Sequence, residues 1–290
     1  MFFCYHWLVK EISKLLKEVE SHYKKEGRGH LAWRQLRSLP ADRRAYKILV
    51  SEVMLQQTQV ERVVPFYKNF LKQFPTVHAL AKAPLSKVLM AWQGLGYNRR
   101  AKFLQAAAKA IVAEHAGRFP KQVSALEELP GVGPYTARAI AAFAYNDPEV
   151  FIETNIRTVF MYFCFNKSTM IYHSVVSDKE ILPLVEEALR KTKLEPREFY
   201  AALMDYGAYL KRQGIKLNTQ SKHYVKQSKF EGSARQLRGA ILRELLKKPQ
   251  TLSQLTKNLS RAAEEVLREL ERLQKEGMIK RRAAQYEIRS

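Results

Sequence analysis

The sequence predicts an all-α protein with a small basic module at its C-terminal end. Three observations carry that expectation. Apolar residues recur at steps of three and four through most of the chain, alternating strand patterns are scarce before residue 276, and the composition shifts after about residue 211. In chain order, Ile12, Leu15, Leu16, Val19 and Tyr23 mark a helix that G-R-G at 27–29 breaks. The apolar N-terminal stretch M-F-F-C-Y-H-W-L-V reads as the start of that packed helix rather than a signal peptide. A second helix is expected from about Arg44 to Gln59 and a third over 101–112. Ser177 followed by Glu180 predicts a capping box that opens a helix to about Lys191.

Residues 211–235 are polar and basic, which predicts a linker or a strap over the surface. Three short helical runs follow, carrying Ile241, Leu242, Leu245 and Leu246, then Leu252, Leu255 and Leu259, then Ala263, Val266, Leu267, Leu270 and Leu273. The chain ends in a two-stranded basic hairpin. Three helices and such a hairpin predict a winged-helix module over 231–290, behind a first domain over 1–230. Modules of that kind bind DNA or protein, so the partner of this one stays open.

Fifty Lys and Arg against twenty-eight Asp and Glu give a formal charge of +22, which favours a polyanionic partner such as nucleic acid. No apolar run is long enough to span a bilayer, so no membrane role is expected. The two cysteines, Cys4 and Cys164, stand in apolar surroundings and fit a reducing interior; a cytoplasmic, nucleoid-associated monomer is expected. The seven histidines have no ligand spacing, and a metal site is not expected.

Three short stretches carry chemistry. In L-P-G-V-G-P-Y-T-A-R-A-I (129–140), Gly131, Val132 and Gly133 allow a tight turn into a helix whose free N–H groups suit a phosphate. The stretch resembles a helix-hairpin-helix motif, although an ordinary turn between packed helices fits it too. The other two are S-E-V-M-L-Q-Q-T-Q-V (51–60) and W-Q-G-L-G-Y (92–97). Together and in this order the three resemble the adenine DNA glycosylases of the MutY type, over roughly residues 30–210. That family folds as two helical domains with a DNA-binding cleft between them.

The resemblance implies a DNA repair enzyme that removes adenine mispaired with 8-oxoguanine or guanine from double-stranded DNA. Breaking a purine's bond to C1′ needs an acid to protonate the base and a carboxylate to stabilise the cationic sugar, the two-carboxylate logic of glycoside hydrolysis. Glu52 matches the family's acid, and burial of a glutamic acid among apolar residues suits that role; from the residues alone Glu52 is a solvent-facing helix residue. Gln56 and Gln57 are assigned to DNA, Gln57 matching an intercalating glutamine. Tyr97 matches a tyrosine inserted beside the base opposite the adenine, and Arg34 an arginine near the adenine pocket. Tyr135 stands where strand-cleaving relatives carry a lysine, which implies a monofunctional enzyme that uses water. Glu153, in V-F-I-E-T-N-I-R (150–157), occupies the position of the family's aspartate, with Asn155 assisting it.

Three departures from the family stand out. Glu153 is one methylene longer than aspartate, and placement within about 0.5 Å matters for a catalytic group. By ungapped counting, the four cluster-binding cysteines of the family fall near Lys211, Asn218, Ser221 and Gln227, so no iron–sulfur cluster is expected. The family's Nudix-like C-terminal domain is replaced by the expected winged helix. A same-fold enzyme for another damaged or mispaired base, and a non-catalytic lesion-binding protein, are the alternatives.

Overall fold

A computed structural model describes residues 2–165, 175–224, 226 and 229–289. In chain order the helices are α1 (Phe2–Glu26), α2 (Ala41–Leu55), α3 (Val60–Gln73), α4 (Val77–Lys82), α5 (Leu85–Trp92), α6 (Arg99–Glu114) and α7 (Val123–Glu127). Then come α8 (Pro134–Ile140), a π-helical turn (Ala141–Tyr145), α9 (Thr154–Cys164), α10 (Asp178–Lys191), α11 (Pro196–Arg212) and a 3₁₀ turn (Leu217–Gln220). The last part holds α12 (Ala234–Lys247), β1 (Gln250–Thr251), α13 (Leu252–Leu259), α14 (Ala263–Lys275), β2 (Ile279–Arg282) and β3 (Gln285–Ile288). The surroundings of Cys4 and the position of Gln227 lie outside what is described.

The chain forms two compact units. One comprises residues 1–41, 121–124 and 133–226; the other comprises 42–120, 125–132 and 227–290. The last sixty residues thus belong to the same compact unit as the segment 42–120.

In the first unit, α1 turns Ile12, Leu15 and Val19 onto α9 and α11, where Phe160, Phe199 and Leu203 complete the core. All six are fully buried. The predicted capping box is present: Ser177 donates both its N–H (2.9 Å) and its hydroxyl (2.7 Å) to Glu180. The polar strap is held in part by a bridge in which Val176 N donates to Gln220 O and Lys222 N donates to Val176 O, both at 2.9 Å.

In the second unit, Tyr46, Leu49, Tyr67, Phe70, Leu80 and Trp92 are buried at the centre. The helix expected to run to Gln59 ends at Leu55. Gln57 takes a left-handed backbone (φ 55°), which no α-helix continues through, and the chain restarts as α3 at Val60. At the C-terminal end, Leu245, Leu255, Val266, Leu270 and Leu273 pack together. The expected hairpin gains a third strand. β1 pairs with β3 and β3 with β2, all antiparallel, giving the order β1-β3-β2. Two residues are too few to show alternation, so β1 leaves no pattern in the sequence.

Candidate functional site

The first unit carries Glu153, Asn155, Tyr135 and Arg34. Glu153 is extended (φ −127°, ψ 177°) and stands at the N-cap of α9. Its Oε1 accepts from the backbone N–H of Asn155 (2.7 Å) and of Ile156 (2.9 Å), two of the amides that a helix start leaves without a partner. Oε2 accepts from Asn155 Nδ2 at 3.2 Å, and Asn155 Oδ1 accepts from Lys211 Nζ at 2.7 Å. Lys211, Asn155 and Glu153 thus form one polar chain. Burial lowers the pKa of the Lys211 amine, while the Glu153 charge opposes that shift.

Close packing fixes this arrangement. A Cβ on Gly207 of α11 would lie 2.4 Å from the Asn155 carbonyl oxygen and 2.6 Å from its Cβ. Neither backbone can yield cheaply. Gly207→Ala is expected to cost about 1–3 kcal/mol by overpacking, despite the higher helix propensity of alanine, and to displace Asn155. Urea unfolding of the two proteins measures it; equal midpoints would show that α9 and α11 separate freely.

Tyr135, the second residue of α8, is half-buried and meets Phe151 edge-on (5.7 Å, 76°), and Phe151 stacks on Tyr200 at 3.9 Å. Arg34 is engaged by the fold itself. Its Nη1 lies 2.6 Å and its Nη2 2.9 Å from the Asp205 carboxylate, which also accepts from Arg28 Nε at 2.6 Å and Arg28 N at 2.8 Å. Burial alone would raise the Asp205 carboxyl, but the hydrogen bond and charge of Arg34, with the charge of Arg28, outweigh it and hold the group below its usual value. Asp205 was not singled out in the sequence. Its signal is a lone charge in the run from Phe199 to Leu210 of α11, where burial demands a partner.

Positions matched to the family's cluster ligands offer no thiol. Lys211 binds Asn155, Asn218 Nδ2 donates to Thr158 Oγ1 at 2.8 Å, and Ser221 is buried at the bridge to Val176. An amine, an amide and a hydroxyl do not fit a four-thiolate iron–sulfur cluster.

The second unit carries Glu52, Gln56, Gln57, Tyr97 and the hairpin glycines Gly131 and its neighbour Val132. Glu52 is buried (6% exposed), flanked on α2 by the equally buried Ser51, Val53 and Met54. The solvent-facing alternative for Glu52 does not hold, because α2 is buried on every side from Leu49 to Met54. Gln57 and Tyr97 both have left-handed backbones (φ 55° and 48°), and both line one cleft. Such strain in non-glycine residues costs about 1–3 kcal/mol and survives only where neighbours impose it.

Arg100 is the neighbour that does so. Its Nη1 donates to the carbonyls of Val53 (2.8 Å), Met54 (2.9 Å) and Gln56 (2.6 Å), at the end of α2. Its Nη2 donates to Thr58 Oγ1 and Gly96 O, both at 3.2 Å. One guanidinium therefore ties the Gln57 turn to the Tyr97 turn and lies 5.4 Å from the Tyr97 ring. Burial pulls its pKa down to about 10, so it stays charged at neutral pH. Nothing in N-R-R (98–100) marks the second arginine over the first.

In the hairpin loop, Gly131 has φ +77°, and a Cβ there would meet Phe103 Cβ at 2.5 Å. Val132 is buried (5% exposed) and donates its N–H to Leu129 O at 3.0 Å. Gly133 is the N-cap of α8. Two buried or strained residues before the cap thus hold the exposed loop in place.

Residues 50–182 match the family model of the HhH-GPD superfamily base excision DNA repair proteins. The chain is similar in sequence to known adenine DNA glycosylases. It is 41% identical over 167 residues to an adenine DNA glycosylase of Mycolicibacterium smegmatis, covering 57% of this chain and 54% of the relative. With the adenine DNA glycosylase of Homo sapiens it shares 40% identity over 154 residues, 52% of this chain and 28% of the human protein. The chain thus spans about half the length of the bacterial relative and less of the human one. A thermostable thymine-DNA glycosylase has a similar fold (TM-score 0.54, 23% identity, 74% of this chain and 97% of that one). So has an endonuclease III in a trapped DNA complex (TM-score 0.52, 20% identity, 69% and 86%).

Proposed function

We propose that the protein is a monofunctional DNA glycosylase that hydrolyses the bond between adenine and deoxyribose, at adenines mispaired with 8-oxoguanine or guanine. The observation that carries this reading is Glu52. A buried carboxyl on α2, in the motif whose resemblance to adenine-specific enzymes implies an acid at this position, is what protonation of a purine leaving group requires. Protonated adenine leaves with the bonding electrons, the sugar becomes cationic at C1′, and water supplies the hydroxyl.

Glu153 is the group that stabilises the cation in this reading. Its carboxylate is fixed by two backbone amides and by Asn155, so its charge has a defined position. Electrostatic stabilisation falls off gradually with distance, whereas covalent capture demands contact. The extra methylene therefore favours an electrostatic role for Glu153 over a nucleophilic one. Tyr135 offers no amine for a Schiff base, so the reaction stops at the abasic site. Gln57 and Tyr97, held by Arg100, enter the duplex beside the extruded base, with Gln56 beside them, and the loop Gly131–Gly133 meets the DNA backbone. Arg34, committed to Asp205, is not assigned to DNA. The chain works without an iron–sulfur cluster, and its order of helix, strand, two helices and hairpin after residue 231 supports a winged-helix module.

Single-turnover assays on duplexes with adenine opposite 8-oxoguanine, guanine or thymine test the reading. The native chain is expected to give breaks at the mispaired adenine only after hot alkali, and Glu52→Gln to give none. Breaks from Glu153→Asp but not from the native chain would mean that the methylene has disarmed the site. No breaks from either, despite tight binding to the mispair, would overturn the glycosylase reading in favour of a lesion-binding protein.

A further inference from the structure

The second unit contains a cleft of about 880 Å³ whose far wall is built from residues well beyond the segment 50–182 that matches the superfamily. Gln57, Arg62 and Tyr97 line one side of it, and Phe230, Arg235, Gly239, Arg243 and Arg261 the other. Four arginines line the cleft, and no aspartate or glutamate is among its lining residues. Arg62 donates to Gly94 O, and Arg261 pairs loosely with Glu265 at 3.8 Å. Arg235 donates to the Tyr97 hydroxyl, with its guanidinium 5.2 Å from the ring centre. Phe230 is 59% exposed. Midway along α12, a Cβ on Gly239 would meet nothing within 4 Å, so the helix presents an open notch to the cleft.

We propose that this cleft is a DNA strand site, in which the α12 face completes the grip on the duplex around Tyr97. Guanidinium groups are the side chains best suited to phosphate, because their fork matches two of its oxygens and their charge does not titrate away. The notch at Gly239 lets the sugar–phosphate chain approach the helix closely, and the bare ring of Phe230 offers an apolar face to a sugar or base. Arg235, already on the Tyr97 ring, moves with that ring or exchanges it for a phosphate when DNA arrives. The inference rests on the DNA reading above and extends it to a part of the chain that the superfamily match does not include.

The test is binding of the full chain to a short fluorescent duplex without damage or mispair, measured across a salt series. Such binding needs no excision, so it is separable from the assay for adenine removal. Arg243→Ala is expected to weaken binding several-fold and to reduce the slope of log K against log salt by about one, the loss of one phosphate contact. Gly239→Glu, which places a carboxylate at the notch from a Cβ that meets nothing within 4 Å, is expected to weaken binding more than tenfold. Arg268→Ala, the same charge change at an exposed α14 position outside the cleft, is expected to bind as the native chain does. Should Gly239→Glu fail to fold, Arg243→Ala carries the test alone. Native affinity and slope for Arg243→Ala would overturn the proposal even in a chain that excises adenine. So would equal losses from Arg243→Ala and Arg268→Ala, or a native chain that captures a protein partner but no duplex.

Discussion

Replacing Arg100 by alanine is expected to destabilise the protein by roughly 3–4 kcal/mol and to weaken DNA binding at the same time. The guanidinium satisfies the carbonyls of Val53, Met54 and Gln56 at the end of α2 and that of Gly96 across from it. Each acceptor left without a donor costs about 1–3 kcal/mol, and water entering the vacated space restores part of the loss. The effect reaches function because the two turns it joins carry Gln57 and Tyr97 in left-handed conformations. With the tie removed, both residues can relax, and the wedge proposed for them is no longer pre-arranged for the duplex. Arg100→Lys is expected to recover less than half of the stability. An ammonium is a point donor and cannot reach carbonyls on both sides as the planar fork does. Urea midpoints and duplex affinity of the three proteins decide it. A loss below about 1 kcal/mol for Arg100→Ala would mean that the turns hold themselves.

Asp205→Asn is expected to cost about 3 kcal/mol at neutral pH and to change how stability depends on acid. Asp205 is 2% exposed on its side chain and faces Arg34 and Arg28, exposed by 12% and 21%. Breaking a buried pair by removing one partner costs about 3–5 kcal/mol, because the remaining charge is left uncompensated. Asparagine keeps the size and one acceptor, which places the change at the lower end. The folded carboxyl lies below its unfolded value of about 3.9. Its contribution is therefore fully present above that pH and is lost as pH falls through the lower folded value. The native chain should lose stability in that acid window, and Asp205→Asn should lose less over the same range. Parallel pH profiles would show that the two arginines gain nothing from the charge of Asp205.

The same two residues mark the boundary of what the sequence determines. Apolar spacing of three and four is a local property of a helix, so α1, α6 and α10 and the three helices after residue 233 are legible in the sequence, as is the capping box at Ser177 and Glu180. The hairpin glycines are legible for the same reason: Gly131 needs a positive φ that few residues accept. Glu52 and Glu153 stand out in the sequence as carboxylates within motifs, but their burial and partners do not. Glu153 caps α9 through amides two and three residues along the chain, but Lys211 reaches Asn155 across 56 residues, and no spacing rule encodes that meeting.

Tertiary structure alone decided the end of α2. Local propensity carries the helix on to Gln59, whereas a guanidinium 44 to 47 residues away takes up the last carbonyls and lets the chain turn at Gln57. It also decided which charges are structural. Of fifty Lys and Arg, the sequence says only that they outnumber the acids. Burial beside Asp205 commits Arg34 to the fold, burial among carbonyls commits Arg100 to the site, and a cleft without carboxylates leaves Arg243 for a ligand. A charge acquires its role from the dielectric and the partners around it, and both come into being only when distant segments pack.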